Sequence, residues 1–336
     1  VPYADRAAGT FRMPRGYDAK HLVDAWHLTR PVLAADLPTG SQRLLLARID
    51  RLSPEQRYIL QVASVVGAVF WYNLIEAVAH DSGSLRPYLA ALQRAQLIQE
   101  DGRVAGLGMQ YSFRSAQVRE AAYDSLVVSQ RAEFHRQTAS YLEASGDAES
   151  LPGFYSLLAY HFRGAGDPRK ELFYTLLAAE QARRLYANAE VLQHYTRALE
   201  LADQIEADPG LKAPTRALLS QRFEILRGRR AVLIELGRFA AAADDARALL
   251  GLADQMADDP AWKVDALLSQ IELVERMVDR DAGVRYASEA LALAQQTGDR
   301  RRQMEAWTAL AWARVGVHDP TARQAAEQAL DLSREL

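Results

Sequence analysis

The groups with which this chain could do chemistry are seven histidines, 43 carboxylates, its serines and 40 basic residues, of which only Lys20, Lys170, Lys212 and Lys263 are lysine. Cysteine is absent, which removes disulfides, thiolate catalysis, iron–sulfur clusters and thiolate zinc sites together. A phosphate cradle needs the G-x-x-x-x-G-K-[ST] pattern, and none of the four lysines follows a glycine. ATP hydrolysis would therefore have to come from another module, and the chain is read as not being an enzyme. A serine nucleophile needs a G-x-S-x-G elbow on a strand framework, and no such elbow occurs.

His21, His27, His80, His135, His161, His194 and His318 lack the i, i+4 pairing of a metal-binding helix, so no metal site and no cofactor are expected. His135 and His161 each lie among apolar helical residues and read as packed or capped helix histidines. Adjacent acids such as Asp244-Asp245 and Asp258-Asp259 read as helix caps and solvated charge. Two arginine clusters remain, Arg227, Arg229 and Arg230 and then Arg300, Arg301 and Arg302, the second in a TGDRRRQ turn. Both are candidates for holding an anionic ligand or a partner, against the plainer reading of salt-bridged surface. Tyr160, Phe162, Phe173, Tyr174, Tyr186 and Tyr195 are expected in inter-helix core, and one of Trp307 and Trp312 is expected to be exposed.

A formal charge of −3 and a pI near 6.2 supply no bulk attraction for nucleic acid or acidic lipid. No stretch approaches a membrane span, and Val1-Pro2-Tyr3 does not open a secretion signal, so a cytoplasmic setting is expected. The start without methionine is expected of a piece of a longer chain.

The elements that must position these groups are mostly helical. One helix-like piece runs from Tyr17 to His27, but Gly9, Pro14, Gly16 and Pro31 interrupt residues 1–36, read as the tail of an upstream module or a linker. SQRLLLARIDRL then predicts a helix. Ser53, Pro54 and Gln56 form the capping-box signature of the next one. A third helix is expected over about 70–80 and a fourth, capped by Ser84, over about 84–93. Leu97–Glu100 and Tyr111–Phe113 predict a hairpin turning at Asp101-Gly102, with strand confined to about residues 97–114. Short helices closed by a hairpin describe a winged-helix domain over 37–127. The helix from about Ala116 leads from it without a Gly- or Pro-rich linker, which predicts a stiff joint.

Residues 128–336 read as helical repeats. Ala198-Leu199, Ala248-Leu249, Ala290-Leu291 and Ala329-Leu330 recur at similar places, where small residues let helix backbones approach. Asp-Pro pairs at 167–168, 208–209, 259–260 and 319–320 fall between the helices. The expected fold is mainly α, a winged-helix domain followed by a tetratricopeptide-like α-solenoid, a helical hairpin superhelix. Such stacks present a groove to a protein or peptide partner.

The stretches LPTGSQRLLLARIDRLSPEQRYILQVASVVGAVF, YSFRSAQVREAAYDSLVVSQRAEFHRQTASYLE and LLAYHFRGAGDPRKELFYTLLAAEQARRLYANAEVLQHYTRALELA carry a resemblance. Over about residues 37–205 the chain resembles the region behind the ATPase core of large bacterial signal-transducing ATPases of the STAND type. Many of those are fused to class III nucleotide cyclases, protein kinases or transcription-factor domains. The resemblance implies a non-catalytic regulatory or sensor region whose winged helix packs on an upstream ATPase module, with ATP or ADP bound in the full-length parent. It also implies a histidine in an F-x-H pattern after the wing that senses nucleotide. Here the pattern is Phe113-Arg114-Ser115, so Arg114 and Ser115 become the nucleotide-contact candidates, and serine brings no charge that switches near neutrality. The alternative is a DNA-binding transcriptional regulator using the winged helix, for which Arg86 and Arg94 supply few phosphate contacts; nucleic acid is not the expected partner.

Overall fold

A computed structural model of the chain describes residues 4–5, 10–11, 47–79, 84–145, 154–208, 215–276 and 279–336. The expected helix over 17–27 and most of the first helix of the 37–127 segment lie outside those residues. The fold is mainly α, and two compact units divide between Gln181 and Ala182.

In the first unit, strands β1 (Ala4–Asp5) and β2 (Thr10–Phe11) pair antiparallel. Residues 47–50 are helical, followed by α1 (Pro54–Val66), β3 (Val69–Trp71), α2 (Tyr72–Val78), α3 (Arg86–Arg94), β4 (Ile98–Val104) and β5 (Gly108–Phe113). The capping box at Ser53 forms as its spacing requires: Ser53 Oγ accepts from the Gln56 N–H at 3.3 Å, and the Ser53 N–H donates to Gln56 Oε1 at 3.1 Å.

Three sequence expectations need correction here. Strand is not confined to 97–114. Besides β1 and β2, β3 adds to β5 to give a sheet in the order β3-β5-β4, where helix had been expected from Phe70. Val69, Phe70 and Trp71 are buried on both faces, so no alternation betrays the strand; Phe70 stacks on Tyr111 and Trp71 Nε1 donates to Gln110 Oε1 at 3.3 Å. The hairpin does not turn at Asp101-Gly102. β4 runs through that pair with a register shift between Glu100 and Gly102 that leaves Asp101 as the extra unpaired residue, followed by Gly102 at φ +139°, and the chain turns at residues 105–107 instead. A side chain at Gly108 would meet Asn73 Oδ1 at 2.6 Å, so the hairpin end closes onto α2. Finally, Ser84 does not cap α3. The helix starts at Arg86 with Pro87 in its first turn and no side-chain cap at Leu85.

Helices α4 (Ala116–Asp124), α5 (Val128–Ala144) and α6 (Phe154–Ala165) follow, and α7 (Pro168–Arg184) begins in this unit. One continuous core runs from Ile49 through Leu142, Phe162 and Tyr174, so the helix–strand module and the helices after it are not separate hydrophobic bodies. α5 packs on both α1 and α2. Phe162 and Tyr174 stack 5.4 Å apart, whereas Phe173 points outward, contrary to its expected place in the core.

The second unit holds α8 (Asn188–Glu206), α9 (Arg216–Glu235), α10 (Phe239–Gln255), α11 (Pro260–Arg276), α12 (Arg280–Thr297), α13 (Arg300–Gly316) and α14 (Ala322–Glu335). Each helix packs on the next, and α11 also meets α13, which makes a solenoid-like stack of helical hairpins. The recurrent alanines do the packing: Ala198 and Ala202 on α8, Ala287, Ala290 and Ala294 on α12, and Ala325 and Ala329 on α14 are buried. On α10 the register differs from expectation, with Ala242, Ala246 and Ala253 buried and Ala248 exposed. Asp259 Oδ1 accepts from the Ala261 N–H at 3.1 Å, Asp319 Oδ1 from Thr321 at 2.8 Å and, in the first unit, Asp167 Oδ1 from Lys170 at 3.0 Å, so these Asp-Pro pairs open helices. Helix α12 ends on Gly298 in the left-handed region at φ +71°. Tyr186 adopts φ +55° and is exposed, which corrects its expected core position and sets a bulky residue in a conformation aromatic side chains seldom take. Trp312 is the exposed tryptophan, while Trp307 packs against the core of α11 to α13.

Candidate functional site: a histidine joint and two arginine clusters

The joint after the β4–β5 hairpin is built from α4, α5 and α6. Ser115 starts α4 but makes no capping bond to the helix; its hydroxyl is engaged by the Gln117 side chain. Arg114 donates its backbone N–H to Leu97 O at 3.0 Å and its side chain is exposed. The three residues between α4 and α5 are tied rather than free. Arg131 donates from Nε to Leu126 O at 3.0 Å and from Nη2 to Asp124 O at 3.1 Å, and its guanidinium lies 4.7 Å over the Tyr123 ring. Gln61 Nε2 donates to Ser125 Oγ at 2.8 Å, drawing α1 into the same knot. Those carbonyls end α4 and have no helical partner, so the cation takes the place of the missing N–H groups. Replacing Arg131 by alanine is expected to cost about 2 kcal/mol through two charged hydrogen bonds and a cation–π contact. Faster hydrogen exchange at residues 124–131, with α1 little changed, would show it; unchanged exchange there would refute it.

Under this knot the two packed helix histidines meet. His135 and His161 are both buried, with Nδ1 to Nδ1 at 2.9 Å, and Tyr123 Oη is 3.1 Å from His135 Nε2. Two imidazole nitrogens at that distance must share one proton, so one donates and the other accepts. A one-way chain fits the two bonds: the Tyr123 hydroxyl donates to His135 Nε2 and His135 Nδ1–H donates to His161 Nδ1, which leaves the His161 Nε2–H turned toward the backbone of Val66. Burial, then the positive charges of Arg119 and Arg131, push His135 down to about 4. Burial and then His135 itself hold His161 well below the ordinary imidazole value. The pair is thus neutral at pH 7 and links α1, α4, α5 and α6 as a polar pin through an apolar core.

A signal for the pair exists in the sequence, at Gly164. A glycine within a helix is unfavourable unless something approaches closely, and a Cβ there would sit 2.4 Å from His135 Cδ2. Gly228 on α9 is the same device in the second unit, with the Tyr195 ring 2.6 Å from the position of the absent Cβ.

The arginine clusters are not brought together. Arg227 pairs with Glu224 at 2.5 Å on the surface of α9. Arg229 grips the buried Asp245 of α10 with both arms, Nε at 2.9 Å and Nη2 at 2.5 Å. Arg230 points into the stack and reaches Glu272 of α11. At the start of α13, Arg300 pairs with Glu335, Arg301 with Glu305 at 3.1 Å, and Arg302 with Asp265 of α11 through two 2.9 Å bonds and with Asp299 at 2.6 Å. Ion pairs therefore run from α9 to α11 and from α11 to α13, between the first helices of successive hairpins. Among the described residues no group of three or more His, Cys, Asp or Glu could hold a metal ion, and no helix is long and apolar enough to cross a membrane.

No family model matches the chain, and no curated protein matches it. Among solved structures it is similar to BtubC (BKLC) from P. vanneervenii, at 14% identity over 79% of this chain and 92% of that one, with a TM-score of 0.47. It is also similar to a Signal Transduction ATPase with Numerous Domains protein with a tetratricopeptide repeat sensor from Pyrococcus horikoshii. There the identity is 12% over 88% of this chain and the TM-score 0.36, and the match spans 46% of that protein's length. Likeness at this level concerns the course of the chain alone.

Proposed function

We propose that this chain is a non-catalytic regulatory region of a larger signalling ATPase of the STAND type. In this reading the helix–strand module is a winged helix that packs on an upstream nucleotide-binding core, and the helical hairpins bind a protein or small ligand in the cytoplasm. ATP or ADP would belong to the parent's core, with the exposed Arg114 better placed than Ser115 to reach it, since Gln117 already occupies the serine hydroxyl. The observation that carries the reading is the shared core. The module and the helices α5 and α6 cannot shift independently without breaking a continuous apolar contact and the histidine pin, so a load on the helices is passed to the module.

A ligand can switch such a core only by binding its two arrangements unequally. In the parent protein, removing residues 182–336 is expected to raise ATP hydrolysis severalfold, measured as phosphate release; an unchanged rate overturns the regulatory role. The DNA-binding reading rests on Arg86 and Arg94, which are exposed on α3. Submicromolar, salt-sensitive retention of random duplex DNA in a gel shift would put that reading first.

A further inference from the structure

We propose that Arg230 heads a carboxylate-binding niche between α9 and α11, with Glu272 standing in for the ligand's carboxylate. The side chain of Arg230 is 6% exposed, yet its Nε and Nη1 have no hydrogen-bond partner among the described residues. Its bond to Glu272, from Nη2, is 3.3 Å long, well beyond the roughly 2.7–2.9 Å of a charge-assisted contact. Elsewhere in this unit the same chemistry is built properly: Arg229 on Asp245 and Arg302 on Asp265 are two-armed forks at 2.5–2.9 Å. The contrast lies in Glu272, whose side chain is 49% exposed and attached to the niche by one oxygen.

A guanidinium withdrawn from water with most of its donors unused is costly, and burial accordingly lowers the proton affinity of Arg230. A carboxylate entering as Glu272 swings into solvent would meet the Nε–Nη2 edge with two short parallel bonds, the geometry the chain itself uses twice. Glu272 and the buried Asp245 set negative charge around Arg230 and Arg227 sets positive charge, so one further negative charge is balanced there and the second of a phosphate dianion is not. The fit is to a planar monoanion, whether an acidic residue of a peptide or a free organic acid. The inference rests on the proposal that the hairpins bind a ligand.

The Nε–Hε resonance of Arg230, in the full chain labelled at arginine and assigned by its loss in Arg230→Lys, reads the niche directly. Sodium propionate and a blocked hexapeptide of glutamate and alanine are the probes, titrated into the wild-type protein, Glu272→Ala and Glu272→Gln. A saturable shift is expected with at least one of them, about tenfold tighter in Glu272→Ala than in wild type because the resident competitor is gone. Saturation by propionate identifies a free acid, and saturation by the peptide alone identifies a protein partner. Should neither probe move the resonance in Glu272→Ala, or should inorganic phosphate move it equally well, the niche does not exist as proposed. Glu272→Gln, which keeps the shape and removes the charge, guards against loss of fold in the alanine variant. If ATP hydrolysis responds to removal of 182–336 while Arg230 stays still, the regulatory reading stands and the niche falls; the opposite pair of results spares the niche alone.

Discussion

Gly164→Ala is expected to destabilise the first unit by about 3 kcal/mol, although alanine is the better helix former. Propensity alone favours the alanine by about 1 kcal/mol. Against that, the new Cβ would lie 2.4 Å from both Cγ and Cδ2 of His135, an imidazole held in a buried chain of hydrogen bonds. Overpacking costs about 1–3 kcal/mol, and a ring pushed off its partner leaves buried nitrogens unsatisfied at roughly 1–3 kcal/mol more. Gly251→Ala is the control, since Gly251 sits inside α10 with nothing within 4 Å of its Cβ position, and it should gain the propensity term. Native-state hydrogen exchange of α5, α6 and α10 measures both. Stabilisation by both alanines would show that His135 is not clamped against α6.

The second large effect is with pH. His135 and His161 carry folded values depressed below the ordinary imidazole value, so between about pH 6.5 and about pH 4 the unfolded chain binds more protons than the folded one. Stability contributed by their burial as neutral rings is therefore present above pH 6.5 and is lost as pH falls. For His135 the loss reaches roughly 3 kcal/mol by about pH 4, at a slope near 1.4 kcal/mol per pH unit. His161 adds in the same direction. The groups facing the pair do not offset this: Arg119 and Arg131 repel the incoming charge, and the rings of Tyr123 and Tyr160 meet His135 edge-on. Denaturant midpoints for the first unit, measured from pH 7.5 to 4.5, should fall steeply below pH 6.5 and less steeply in His135→Phe/His161→Phe. A slope that survives the double replacement assigns the acid sensitivity to carboxylates instead.

The helical hairpins and their punctuation were legible because they are local. Capping-box spacing at Ser53 and the aspartates before Pro168 and Pro260 act over two or three residues, and the structure uses them as the spacing demands. The departures have a common cause. β3 is all apolar, with no alternation to distinguish it from a helix start, and only pairing with Tyr111 and Gln110 makes it a strand. Asp101-Gly102 is a strong turn signal in isolation, but Gly106 and Gly108 downstream supply two further positions of positive φ, and closure against Asn73 places the turn there. Tyr186 and Phe173 were expected inside on hydrophobicity alone, which does not say which side of a helix a ring occupies.

Residue type and near spacing alone specify a mainly helical chain, the starts of several helices and small-residue contacts along the repeats. Tertiary structure alone decided which polar groups meet. Tyr123, His135 and His161 join across up to 38 residues, and Arg230 and Glu272 across 42, distances over which chain periodicity carries no information. Their meeting is set by how α1, α4, α5 and α6, or α9 and α11, turn about their axes once the apolar faces are buried, and a rotation of one residue exchanges a pinned histidine for a solvated one.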